Sequence, residues 1–130
     1  MVVIMLKGRK FAYAELCNNF YKRFRGLMFR KRLDKEGCLL FVLNRSSRID
    51  ASIHMMFVFF PIDVLWLDES FNVVDYKLNL KPFSLGSSPR KPAKYILEAA
   101  AGKCNSVRLG DKFEITGIGV RFRKYENKSL

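Results

Sequence analysis

Two side chains stand out in the stretch SIHMMFVFFPIDVLWLDES (52–70): His54, the single histidine of the chain, and Asp63. An imidazole changes charge near neutral pH and is the commonest general acid or base. A carboxylate at its side would orient it. Nine positions separate the two residues, with Pro61 between them. Antiparallel pairing of two strands around that proline would bring them together. Each residue also has a plainer reading, and the sequence favours it. His54 reads as a neutral core or rim histidine whose ring nitrogens bond to backbone or to a carboxylate. Asp63 reads as a strand-start acid that accepts backbone N–H bonds and fixes the Pro61 turn, because a carboxylate inside an apolar strand is costly without donors.

A second constellation is KRFRGLMFRKR (22–32), which places Lys22, Arg23, Arg25, Arg30, Lys31 and Arg32 around Phe24 and Phe29. Fixed positive charge suits phosphate contacts, and exposed aromatics stack on bases. The plainer reading, again preferred, is a basic helix face and following loop with both rings in the core. A metal centre would need several ligands, and Cys17, Cys38 and Cys104 show no CxxC spacing. No phosphate-binding glycine loop, dinucleotide fingerprint, zinc-protease motif or serine-hydrolase elbow occurs. NTPases, dinucleotide enzymes, zincins and serine hydrolases therefore have no support, and neither a metal nor a cofactor is expected.

The elements that must carry these groups are mostly strands. VVIMLKGRKFAYAEL reads as a β-hairpin with a type II′ turn at Gly8-Arg9. Phe20, Phe24 and Leu27/Met28 form a helical stripe, which predicts one short helix near residues 19–26 that ends at Gly26. GCLLFVL (37–43) predicts a buried strand and NRSSRID a polar loop. Strands follow near 52–59, 62–67 and 71–79, the first with apolar side chains on both faces and therefore buried on two sides. KPFSLGSSPRKP (81–92), with three prolines, is a long loop, and long loops in compact domains tend to carry function. AKYILEAAA is a strand leading to a Gly102 turn, VRLGDKFEI a turn at Gly110-Asp111 and then a strand, and residues 118–125 an edge strand guarded by basic side chains. About eight strands and one short helix imply a mainly β fold, an antiparallel sandwich or partly closed barrel, in a single domain spanning residues 1–130.

Composition sets the class. The 130 residues fit one domain with a real core. The net charge is +12, concentrated in residues 1–35 and 103–130, while residues 36–102 are balanced. Such ends attract polyanions, although the bland reading of a basic protein is solubility. The apolar run 53–67 is too short and too polar to span a bilayer, so no membrane span is expected. The opening MVVIMLKGRK lacks the pattern of a signal peptide. A cytoplasmic location with reduced, partly buried thiols is expected.

Several blocks in order carry a family resemblance: RGLMFRKRL (25–33), GCLLFVL (37–43), FPIDVLWLDE (60–69), the proline loop, PAKYILEAAAG (92–102) and LGD (109–111). Together they resemble the bacterial and archaeal family called domain of unknown function 192, over about residues 2–116. The resemblance implies a compact β-rich fold and no established reaction. Arg25, Gly26, Met28, Pro61, Asp63, Glu98, Gly102, Gly110 and Asp111 match its pattern. Bacterial members often carry a Trp-Met-Lys-Asn-Thr run where this chain has His54 to Val58, so a site built from that polar cluster does not transfer. Many bacterial relatives are exported, and that location does not transfer either. Arg25 is a natural ion-pair partner for Asp63 or Glu98, since its planar fork matches a carboxylate.

The expected function is that of a non-enzymatic binding module for a small ligand, glycan or peptide. Its site would lie where the 81–92 loop crosses the His54/Asp63 hairpin, with Arg25, His54, Asp63, Lys81, Arg90, Lys91 and Glu98 as candidate residues. Two alternatives stand beside it: a polyanion or nucleic-acid binder using the basic 22–32 segment, and a small enzyme using His54 and Asp63. Monomer and homo-oligomer both stay open.

Overall fold

A computed structural model describes residues 2–19, 26–28 and 30–117. The expected helix at 19–26, the edge strand at 118–125 and the side chain of Arg25 lie outside the described residues. Among the described residues every regular element is a strand: β1 (Val2–Leu6), β2 (Arg9–Cys17), β3 (Gly37–Ser47), β4 (Ile62–Leu67), β5 (Val73–Leu80), β6 (Ala93–Ala100) and β7 (Phe113–Gly117). They form one sheet in the order β5-β4-β6-β3-β2-β1-β7. The mainly β expectation holds. The sheet is mixed rather than wholly antiparallel, because β2 and β3 run parallel, Tyr13 opposite Gly37 through Cys17 opposite Phe41. A parallel pair needs a long crossover, and residues 18–36 supply it.

The sheet curls until its two edges meet. An isolated bridge joins Asn72 to Lys112. Around it Val73 N–H donates to the Asp111 carbonyl at 2.8 Å, and Gly110 and Phe113 donate to Val73 and Phe71 at 2.9 and 3.0 Å. Among the described residues no full ladder closes the ring. Inside the curl lies one core, to which all seven strands contribute: Ile4, Ala12, Leu40, Leu65, Val73, Leu97 and Phe113 among others.

The outer face of the central strands is equally apolar. Successive residues of β3 alternate between the two sides, Cys38, Leu40 and Val42 inward and Leu39, Phe41 and Leu43 outward. Period-two alternation with apolar residues at every position marks a strand buried on both faces. The outward set, with Ile62, Val64, Trp66 and Ile96, packs against irregular chain, from which Leu27, Ala51, Ile53, Met55 and Val58 descend. Trp66 fixes this cover, its Nε1–H donating to the Ala51 carbonyl at 2.8 Å.

Three local expectations are corrected. The β1–β2 turn is centred on Lys7-Gly8, with φ 51° and 76°. Two consecutive positive φ values make it type I′, whose twist suits a hairpin, rather than type II′ at Gly8-Arg9. β3 continues through residues expected as loop, Ser47 pairing with Ala93. Most consequential, residues 52–59 are not a ladder strand and do not form a hairpin with 62–67. Ala51, Ile53 and Met55 point inward, then Val58 N–H bonds back to the Met55 carbonyl at 3.2 Å, with Phe57 at φ 58°. That turn shifts the phase, so Val58 is buried while Met56 and Phe57 face solvent. The two apolar faces read from the letters are one apolar face interrupted by a turn.

Candidate functional site

The irregular cover does not fill all the space above the sheet. A cavity of about 440 Å³ remains, lined by Gly26, Leu27 and Met28, by Phe41, Leu43 and Asn44 of β3, by Asp50 to His54 without Ala51, by Val58, and by Ile96 and Glu98 of β6. The crossing of the 81–92 loop over residues 52–55 holds one wall in place. Ile53 and Ser87 exchange backbone hydrogen bonds of 2.9 and 3.0 Å, and Phe83 N–H reaches the Met55 carbonyl at 3.1 Å. The Ser52 and Ser88 hydroxyls meet at 2.7 Å. Gly86 permits this approach: a Cβ there would stand 1.8 Å from the Ile53 carbonyl oxygen. The loop thus crosses the His54 segment as expected, but at the rim, with the cavity floor made by the sheet.

Glu98 is the distinctive group. It lies in the middle of β6, flanked in the ladder by Leu39 of β3 and Val64 of β4. Its side chain is 7% exposed. Among the described residues it receives no side-chain hydrogen bond or ion pair. Burial alone pushes its carboxyl up to about 8, so near neutral pH it holds a proton. His54 and Asp50 stand at the exposed rim of the same cavity. Asp50 accepts from Arg45 Nε at 3.0 Å.

Asp63 is elsewhere. It is fully buried and takes the inner face of β4, the side opposite Glu98, since Val64 and Trp66 flank it on the outer face. Its Oδ1 accepts Asn79 N–H, and its Oδ2 accepts Gly102 N–H and Cys104 N–H, all at 2.9 Å. It ties the start of β4 to the end of β5 and to the turn after β6. The plainer reading of Asp63 as a backbone-bonded acid is therefore the one observed, and the His54/Asp63 pair at one site is not.

The other candidates divide similarly. Arg90 belongs to a structural pair: its backbone N–H and guanidinium hold buried Asp75, with contacts of 2.9, 3.4 and 3.0 Å. Burial pushes the Asp75 carboxyl up, but the Arg90 side chain and backbone and the Tyr76 N–H outweigh it and hold the group below its usual range. Lys81 and Lys91 are exposed and do not line the cavity. Arg25 lies outside the described residues, so its proposed pairing does too. Of the basic segment, Lys22 and Arg23 also lie outside, Arg30 reaches Glu15 at 3.1 Å, and Lys31 and Arg32 are exposed. Among the described residues no group of three or more His, Cys, Asp or Glu is arranged to hold a metal ion, and no helix is long and apolar enough to cross a membrane. Cys17, Cys38 and Cys104 are buried.

Comparison with known proteins agrees with the family blocks. The chain is similar to a UPF0127 protein of Thermococcus kodakarensis, 38% identical over 100% of this chain and 82% of the relative. A UPF0127 protein of Pyrococcus furiosus is 44% identical over 75% of this chain and 81% of its own. Among solved structures, a candidate transcription regulator from Sinorhizobium meliloti 1021 superposes with a TM-score of 0.79 at 25% identity, over 88% of this chain and 91% of that one. The model of the family DUF192, described as uncharacterized ACR, matches residues 2–115. The chain belongs to the DUF192 family.

Proposed function

We propose that this protein is a small-ligand binding module whose site is the cavity between the outer face of the sheet and the 51–58 cover. One observation carries the reading: a largely buried carboxyl, Glu98, faces an open, partly apolar cavity and meets no donor among the described residues. No buried side-chain oxygen among the described residues lacks a partner, so the Glu98 oxygens are not sealed in but open to whatever enters the cavity. The volume is in the range of small-molecule sites, and an apolar floor with a few convergent polar groups is their usual chemistry. Lys81, Arg90 and Lys91 are not part of this reading.

Methyl NMR of the full chain tests it. A set of small neutral, cationic and anionic fragments is titrated while the methyl groups of Leu43, Ile53, Val58 and Ile96 are followed. Saturable shifts confined to these methyls, lost when Asn44→Trp blocks the exposed mouth, are the expected result. Fragments that leave these methyls unmoved would remove the reading.

A second reading, acid–base catalysis, draws support from Glu98 being held protonated near neutrality in a cavity that His54 also lines. It differs from the first by requiring turnover with a pH profile that Glu98→Gln abolishes.

A further inference from the structure

We propose that the cavity takes a small organic cation, an amine with an apolar body, seated with its ammonium group against the Glu98 carboxyl. The proposal rests on the binding-site reading above and names its ligand class.

The charge of the lining departs sharply from that of the chain. The sequence has 24 Lys and Arg against 12 Asp and Glu, yet the charged residues lining the cavity are Asp50 and Glu98, with no Lys or Arg among the described ones. A site for an anion in so basic a protein would be expected to recruit a cation. The buried carboxylates also differ among themselves. Asp63 and Asp75 are each met by several N–H donors, whereas Glu98, slightly more exposed than either and lining the cavity, has none within the described chain. Its oxygens open onto the cavity, where a ligand's donor can reach them, and an ammonium group offers up to three N–H bonds and a compensating charge. Phe41, Leu43, Ile53, Val58 and Ile96 supply the apolar surface for the body of such a ligand.

Seating an ammonium ion moves one proton. The neutral acid and the ammonium ion become a carboxylate–ammonium pair, and the acid proton leaves to solvent. Amine affinity should therefore rise with pH while the free site still holds that proton, by about tenfold per pH unit. The raised ionisation of Glu98, to about 8, places that range between pH 5.5 and 7.5. The other titratable groups facing the cavity are Asp50, held by Arg45, and His54 at the rim. The neighbours of Glu98 on β3 and β4, Leu39 and Val64, do not titrate.

The test uses benzylamine, benzyl alcohol and benzoate as probes on the full chain, read by methyl NMR and calorimetry. Benzylamine should bind tightest, gain about a hundredfold in affinity from pH 5.5 to 7.5, and release close to one proton. Glu98→Gln should weaken benzylamine at least tenfold and remove the pH dependence, while benzyl alcohol is little changed. If benzyl alcohol or benzoate binds at the cavity and benzylamine does not exceed it, or if benzylamine affinity is flat with pH in the wild-type chain, the cation proposal is overturned and the pocket reading stands. If none of the three moves the cavity methyls, both fall.

Discussion

Glu98 should make the protein lose stability as the solution becomes more alkaline. In the unfolded chain its carboxyl ionises near the ordinary 4.5, whereas in the fold burial raises it to about 8. Between these values the folded state keeps a proton that the unfolded state has released. Stability is thus fullest below the unfolded value, declines as pH rises, and levels off once the folded group also ionises. At 1.36 kcal/mol per unit, the loss between pH 5 and pH 8 is about 4 kcal/mol, a large part of the 5–15 kcal/mol typical of a domain. Asp75 acts in the opposite sense, but below the window, because its carboxyl is held under the usual range. Cys38 and Cys104, raised from 9.0 to about 12 chiefly by burial, act above it. Urea melts of the wild-type chain and of Glu98→Gln, across pH 5 to 8, isolate the effect. The variant should show a nearly flat profile, whatever its absolute stability, while the wild type falls. Parallel profiles would refute the claim that a buried, donor-free acid sits at this position. An amine that supplies the missing donor should cancel part of the alkaline loss, which links the stability measurement to the ligand proposal.

Two further outcomes follow from other contacts. Asp63→Ala removes the acceptor of three N–H groups, that of Cys104 buried and those of Asn79 and Gly102 part-buried, and hydrogen bonds to a charged acceptor contribute about 1.5–3 kcal/mol each. With partial relaxation the urea-measured loss should be about 4 kcal/mol, and a loss under about 1 kcal/mol would contradict the structural role. Because Asp63 faces the inner core, fragment binding at the cavity should survive in conditions where the variant remains folded. Gly86→Ala forces a methyl into the Ile53 carbonyl and must separate the two crossing segments. Overpacking against backbone should cost about 1–3 kcal/mol, and amide exchange at Ile53 and Ser87 should accelerate. Unchanged protection of those two amides would show that the crossing is looser than the contact implies.

The letters carried the strands with strong patterns and missed the segment whose pattern was mixed. Residues 62–67 and 93–101 are continuous, β-prone runs, and they emerge as strands at 62–67 and 93–100. Asp63 was legible as a backbone-bonded acid because a lone carboxylate in such a run must find donors, although nothing local names Gly102 and Cys104, some forty positions away, as its partners. Residues 52–59 misled for a physical reason. Alternation cannot report a turn over residues 55–58 in which an aromatic residue adopts a positive φ, since Phe57 has no sequence habit of doing so. That missed turn removed the expected hairpin and with it the His54/Asp63 pair. Glu98 was named through family resemblance and as a partner for Arg25. Its own signal was a single acid in the apolar run YILEAA, which is the same argument that was applied to Asp63. The difference between a satisfied acid and an unsatisfied one appears only when tertiary neighbours are known.

The order in which strands join the sheet also bears on how the protein is made. β7, the last described strand, pairs with β1, the first, and residues 110–113 complete the seam with residues 71–73. A ribosome releases β1 long before its outer neighbour exists. Until residue 117 clears the exit tunnel, the nascent chain carries an unzipped edge and an uncovered inner core, the kind of surface that recruits other chains. Closure of the sheet should therefore wait until residue 117 has emerged, and nascent chains arrested before residue 110 should be the ones that chaperones hold.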